Sequence, residues 1–181
     1  MTTRSPEHEI DSIFLERWSP RSFLDKEVSG EVLNRLLEAA RWAPSAMNLQ
    51  PWRFIVAHTA EDRASFNSFI LEGNRIWSDQ APALIALVSD QESGAHAFDS
   101  GAAWAFLSLQ AVREGLITHA IGGFDKEKAK EALKLPANFE PQIIIAVGYQ
   151  GEKEALPAQL QEREQPSARR PLQEFIIDGH F

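Results

Sequence analysis

Cysteine is absent from all 181 residues, which removes structural disulfides, thiolate zinc sites, iron–sulfur clusters and cysteine nucleophiles together. Basic residues are scarce against acidic ones, 18 Lys and Arg to 26 Asp and Glu, for a formal charge of −8. A surface of that sign repels a phosphate backbone, so no nucleic-acid partner is expected. Long apolar runs are missing as well. Ala81–Val88, interrupted by Pro82, and Ala102–Leu107 fall far short of the ~18 residues of a membrane span. The start, Met-Thr-Thr-Arg-Ser-Pro-Glu-His-Glu, lacks the apolar stretch of a secretory signal. A soluble, cytoplasmic protein with no membrane partner is the expectation.

Several chemistries are also missing. The ten glycines form no Gly-x-Gly-x-x-Gly array, no phosphate loop and no Gly-x-Ser-x-Gly elbow. His8, His58, His96, His119 and His180 are scattered without metal-ligand spacing, so no metal site is expected. Any chemistry must come from a bound organic cofactor.

What remains is ample core material, with 44 % hydrophobic and 24 % charged residues, as in a soluble globular protein. Val32, Leu33, Leu36, Leu37 and Ala40 recur at helical spacing between Glu31 and Trp42, with Ser29 placed as the cap and Pro44 as the stop. Phe54–Ala57, Leu84–Val88, Leu116–Ala120 and Ile143–Val147 read as strands, the second buried on both faces. A helix from about Arg63 to Leu71 is expected to end at Gly73-Asn74. Asp99–Glu114 is apolar most of the way round, which suits the molecular interior or a subunit interface. Asp125 caps a short polar helix ahead of Pro136. Helices interleaved with strands give a layered α/β or α+β domain over 1–181. Residues 151–181 form a polar arm and a tail reaching a partner subunit, and the apolar Phe175-Ile176-Ile177 needs a sheet edge, its own or a neighbour's.

Four segments carry chemistry. Arg17-Trp18-Ser19-Pro20-Arg21 can set two guanidinium forks and a hydroxyl around one anion such as phosphate, or form a solvated basic turn. Pro44-Ser45-Ala46-Met47-Asn48-Leu49-Gln50-Pro51-Trp52 is a stiff loop of small residues. There Asn48 and Gln50 offer donor and acceptor to a heterocycle edge, or the loop merely connects helix to strand with Trp52 as a core plug. Gly122-Gly123 ahead of Phe124-Asp125 permits unusual angles or close approach. Arg169-Arg170 follows the arm and reads alone as surface charge.

In kind, order and spacing these segments resemble the nitroreductase family of flavin-dependent oxidoreductases, from about Ser12 to Leu172. The most specific piece is the Pro-Ser-x-x-Asn-x-Gln-Pro-Trp loop at 44–52, supported by Asp99-Ser100-Gly101-Ala102-Ala103 and Gly-Gly-Phe-Asp at 122–125. The resemblance implies an α+β fold with a central mixed, mainly antiparallel sheet flanked by helices. It also implies an interlocked homodimer holding FMN at the subunit interface. Arg17, Trp18, Ser19 and Arg21 would meet the phosphate, the ribityl chain or the pyrimidine side of the ring. Pro44, Ser45, Ala46 and Asn48 would approach from the other subunit, and Asn74 would reach the flavin edge. Gly122 and Gly123 would lie along the ring near N5, and Arg169 and Arg170 would complete the phosphate clamp.

The implied reaction is ping-pong hydride transfer from NADH or NADPH through flavin N5 to a small oxidant of nitroaromatic, quinone or enone type. No catalytic side chain is assigned, since the flavin does the chemistry. His119 is either a proton donor beside it or a satisfied core histidine. Two alternatives stand beside this reading. One is specialised flavin chemistry (reductive dehalogenation, flavin fragmentation or metabolite dehydrogenation) with a lid from Ser89–Phe98 or from the arm, and the other is a flavin-binding dimer without turnover. The chain departs from some family members in carrying Trp77, with Arg75 before it, where they have a basic residue.

Overall fold

Four apolar runs become the strands β1 (Trp52–Ala57), β2 (Ala83–Asp90), β3 (Ile117–Ile121) and β4 (Phe139–Gly148), hydrogen-bonded in the order β1-β2-β4-β3. The computed structural model describes residues 4–180; residues 1–3 of the polar start, and 181, lie outside it. Among the described residues all three strand pairs are antiparallel. This corrects the mixed sheet expected above: no parallel pair is present in the described chain.

β2 and β4 are central, and side-chain alternation divides their residues between two cores. Leu84, Ala86, Val88, Ile144 and Ala146 face one cluster with Phe66, Phe69 and Trp77. Ala83, Ile85, Leu87, Ile145 and Val147 face the other, with Leu33, Leu36, Ala103 and Leu107. β2 is buried along its length up to Asp90, as a strand covered on both faces must be. Pro141, which has no N–H to give, sits opposite Val88 where the β2–β4 register breaks, a position at which a central strand tolerates proline.

The helices are α1 (Ile13–Glu16), α2 (Gly30–Arg41), α3 (Ala60–Asn67), α4 (Glu72–Ser78), α5 (His96–Arg113), α6 (Lys126–Ala132) and α7 (Ala158–Gln161). The Ser29 hydroxyl accepts the Val32 N–H and caps α2. Asp125 does the same for α6 through Lys128. Gly115, at φ 69°, turns the chain out of α5 in the left-handed region that glycine occupies without strain.

One local expectation fails. Gly73-Asn74 does not stop a helix but lies inside α4. Burial of Trp77, packed between Phe23 and His119 at centroid distances of 6.4 and 4.5 Å, outweighs the turn preference of that pair. The Phe175–Ile177 patch pairs with no strand of its own chain among the described residues and stays exposed after the single turn Leu172–Glu174. The arm is better anchored than its polarity implies, because Leu156, Leu160 and Glu164 are all buried.

Leu107 is fully buried between α5, α2 and the sheet. Leu107→Ala is expected to cost about 2–5 kcal/mol of stability, the range for an unrelieved core cavity, measured as a lower urea midpoint at unchanged slope.

Candidate functional site

α1 ends in extended backbone at Arg17, and the next residues run beside β3. The Arg4 guanidinium donates through Nη1 to the carbonyls of Leu15 at 2.8 Å and Arg17 at 2.7 Å, and through Nε to that of Ser167 at 3.1 Å. Arg169 donates to Ser167 Oγ and to the Ala168 carbonyl. The two ends of the chain thereby gather Arg4, Arg17 and Arg169. None of the three forms an ion pair among the described residues.

Burial pulls the Arg17 guanidinium below its ordinary pKa, and the positive charges of Arg4 and Arg169 add to the effect. Arg4 is lowered the same way, by burial first and then by Arg169. Like charges held together without an ion-pair partner form a ready anion site. Arg17 and Ser19, whose hydroxyl lies 3.4 Å from Arg17 Nη1, line a cavity of about 360 Å³ with Phe14, Trp104, Ser108 and Ala120. Arg4 and Arg169 line a neighbouring cavity of about 430 Å³ that shares Phe14.

Arg21 is placed differently. Its backbone N–H and that of Ser22 both donate to Glu164 Oε1, at 2.7 and 3.0 Å. Its guanidinium lies 3.9 Å from Glu164 Oε2 and over the Trp77 ring at 6.0 Å. Arg21 therefore has a buried counter-charge that Arg17 lacks. Arg170 is also answered locally, 3.4 Å from Glu174 and 4.8 Å over the Phe175 ring. Trp18 turns to a smaller cavity of about 190 Å³ with Leu116, Thr118 and Gln150.

On the other flank of β3, Asn74 Nδ2 donates to the Gly123 carbonyl at 3.1 Å. A methyl group on Gly123 would overlap that amide and displace the Asn74 side chain, so glycine there preserves the hydrogen bond. His119 Nδ1 meets the Pro20 carbonyl at 3.0 Å. Burial chiefly, then the charges of Arg21 and Arg17, push the imidazole down to about 4 against the pull of the Pro20 and Ser19 backbone. His119 is thus neutral at pH 7, donating from Nδ1. Through His119, Trp77 and Asn74 the segment Arg17–Arg21, α4 and Gly122-Gly123 form one continuous wall.

The 44–51 loop sits elsewhere. Ala46 N–H donates to Asp99 Oδ2 at 3.2 Å and Gln50 N–H to Ser45 Oγ at 3.0 Å. Met47, Asn48 and Gln50 have φ of 49°, 57° and 48°, a conformation that costs a residue such as Met free energy. Asp99 opens α5, whereas Ser108 of the arginine cavity lies nine residues on, about 13 Å along the axis. Within one chain, Pro44, Ser45, Ala46 and Asn48 line neither arginine cavity. The loop and its surroundings expose Trp42, Met47 and Phe98 at 69, 87 and 82 %.

Arg4 and Glu164 escaped the sequence reading. Arg4 precedes the stretch that carries the resemblance, and no local spacing marks Glu164 as buried. Among the described residues no His, Asp or Glu cluster suits a metal ion, and no helix is long and apolar enough to cross a membrane.

The nitroreductase family model matches residues 15–76 and 72–149. A crystal structure described as an oxidoreductase containing FMN superposes with a TM-score of 0.94 at 39 % identity, covering 100 % of this chain and 98 % of that one. An FMN-dependent nitroreductase from Clostridium difficile R20291 superposes with a TM-score of 0.70 at 29 % identity, over 77 % of this chain and 87 % of that one. A Streptococcus pyogenes protein named "Putative NAD(P)H nitroreductase" is 26 % identical over 89 % of this chain and 94 % of its own length.

The low pKa of His119 has a measurable consequence. With a value of about 4 when folded and 6.5 when unfolded, its share of the stability is complete above pH 6.5 and is lost as the pH falls toward 4. The slope approaches about 1.4 kcal/mol per pH unit in that window. His119→Gln is expected to flatten this part of the stability profile in urea titrations from pH 7 to 4.

Proposed function

The chain belongs to the nitroreductase family, and from that we propose that it is an FMN-dependent oxidoreductase carrying hydride from NAD(P)H to a small nitroaromatic, quinone or enone. The observation that carries the reading is the set Arg4, Arg17 and Arg169, half-buried or at the cavity rim, none of which forms an ion pair among the described residues, while Glu7 of the same cavity is taken up by the Leu172 N–H. The set adjoins a wall that is apolar at Phe14 and Trp104 and polar at Ser19 and Ser108. A molecule with a dianionic phosphate at one end and a flat, partly apolar ring system at the other matches that combination. The FMN-containing neighbour at 39 % identity supports the match.

In this reading Arg17 and Arg169 take the phosphate oxygens by charge-assisted hydrogen bonds, with Ser19 beside them. Arg170, engaged with Glu174 and Phe175, lends charge but no direct bond. Arg21, partly neutralised by Glu164, presents a fixed positive group toward the pyrimidine side. There it stabilises negative charge without reorganising. Asn74, tied to the Gly123 carbonyl, holds the edge of the ring site while Gly122-Gly123 allows close approach. Bound there, FMN supplies the two-electron hydride chemistry that no side chain of the chain offers. His119 stays neutral and orients the Pro20 carbonyl, so it holds the wall and delivers no proton at pH 7.

The loop Pro44, Ser45, Ala46 and Asn48 completes the site from a second copy. Two features support this: the loop meets neither arginine cavity of its own chain, and it exposes Met47 and Phe98. The whole chain is read as one domain whose tail reaches that partner. The S. pyogenes relative's name supports NAD(P)H as the electron donor.

Purified protein is expected to show a flavin absorbance band that bleaches on anaerobic addition of NADH or NADPH and returns with a quinone. A colourless protein that takes up no FMN overturns the proposal. Arg17→Ala is expected to cost about 1.5–3 kcal/mol of FMN binding, roughly ten- to 150-fold in Kd. Sedimentation of the holoprotein is expected to give a dimer, and a holo monomer contradicts the shared site.

A further inference from the structure

We infer that Arg4 is a positioning residue of the anion site, a clasp that fastens the C-terminal arm to the Arg17 segment and so delivers Arg169 to the anion that Arg17 binds. The inference rests on the reading of that anion as the FMN phosphate. It assigns a role to a residue outside the segments that carry the family likeness.

The hydrogen bonds carry the argument. The arm is pinned at Glu164 to the backbone of Arg21 and Ser22, and again at Leu172, whose N–H donates to Glu7 Oε1 at 3.0 Å. Between those points, among the described residues, the one hydrogen bond to a distant part of the chain is Arg4 Nε to the Ser167 carbonyl. Arg169 bonds only within its own turn, to Ser167 Oγ and the Ala168 carbonyl, so its placement follows that of Ser167. Arg4 in turn is fixed by the Leu15 and Arg17 carbonyls, which the short α1 leaves available at its C-terminal end. One planar guanidinium therefore spans three main-chain acceptors on both ends of the chain. The point charge of a lysine ammonium cannot reproduce that fork.

The clasp also makes the site responsive to its ligand. It assembles three positive charges, an arrangement that repels itself until an anion enters. Anion binding and arm docking are then coupled, and the coupling is reciprocal: an anion that tightens the arm is bound less well when the arm is loosened.

The test compares wild type, Arg4→Met and Arg4→Lys as full-length apoprotein. Limited trypsin cleavage at Arg163–Glu164 and Arg169–Arg170 is followed by mass spectrometry, alone and with inorganic phosphate or FMN. Affinities for FMN and for riboflavin, which lacks the phosphate, come from flavin fluorescence. Both variants are expected to be cut in the arm several times faster than wild type. Both are expected to lose about tenfold in FMN affinity while keeping that for riboflavin, and FMN is expected to slow arm cleavage of wild type. Wild-type cleavage rates in both variants overturn the clasp, as does full recovery of FMN affinity in Arg4→Lys, which keeps the charge without the fork. Should wild type bind neither flavin, the FMN reading falls, while the cleavage rates still decide the clasp.

Discussion

Positive charge without a partner is the constraint around which this molecule is arranged. In a chain with eight more acidic than basic residues, carboxylates are plentiful, and half of the twelve arginines form an ion pair with one among the described residues. Arg35 lies between Glu31 and Glu114, Arg41 against Glu38 and Arg75 against Asp79, and the hydrogen bonds each guanidinium donates to these carboxylates raise its pKa. Arg17 and Arg4 move the opposite way, lowered by burial first, then Arg17 by Arg4 and Arg169 and Arg4 by Arg169. The same side chain thus sits in two electrostatic regimes. The surface pairs are exposed and contribute little to stability. The cluster is unfavourable by itself, and a strained group of this kind persists where a ligand relieves it.

Holding that cluster falls to the sheet and to one stack of side chains. β3 carries His119 to the Pro20 carbonyl, Trp77 lies against His119, and Arg21 lies over Trp77 with Glu164 behind it. Each member fixes the next: a neutral imidazole orients a carbonyl, an indole supports a cation, and a buried carboxylate satisfies two backbone N–H groups. A buried charge with one weak ion pair costs free energy. Glu164 is tolerated because Oε1 accepts from both Arg21 and Ser22. The arm and the arginine segment are consequently one structural unit although some 140 residues of sequence separate them.

Where a residue's role follows from its near neighbours, the sequence alone was readable. Leu84–Val88 and Ile143–Val147, the apolar runs inside β2 and β4, are unbroken, α2 shows its stripe and its Ser29 cap, and Asp125 caps α6. Arg17, Ser19, Asn74, Gly123 and Arg169 were singled out by spacing and resemblance, and the structure sets Asn74 against Gly123 and Arg17 near Arg169. Legibility ended where distant contacts decide. Gly73-Asn74 carries a turn signal, yet burial of Trp77 draws it into α4. Arg4 and Glu164 act across 163 and 143 residues of separation, and no local pattern encodes such a bond. The tail Phe175–Ile177 is apolar enough to demand cover, but its own sheet offers no strand partner among the described residues.

That unmet demand bears on how the proposed site is completed. Along the end of α2, the 44–51 loop and the start of α5, one surface exposes Trp42, Met47 and Phe98. The Ala46–Asp99 hydrogen bond knits its parts together. Single exposed apolar residues need no explanation, whereas large ones gathered beside a rigid loop mark a contact surface. Met47 sharpens the point, since it adopts a left-handed conformation and then extends into solvent. Water gives no return for that conformational cost, but packing against another molecule does. The same loop holds backbone and small side chains suited to a flat ring, and lines neither arginine cavity of its own chain. In the proposed dimer both facts would be met at once, because a second copy would bury the apolar surface and bring the loop to an arginine wall. A partner of different sequence would cover the surface but leave the loop without a ring to meet.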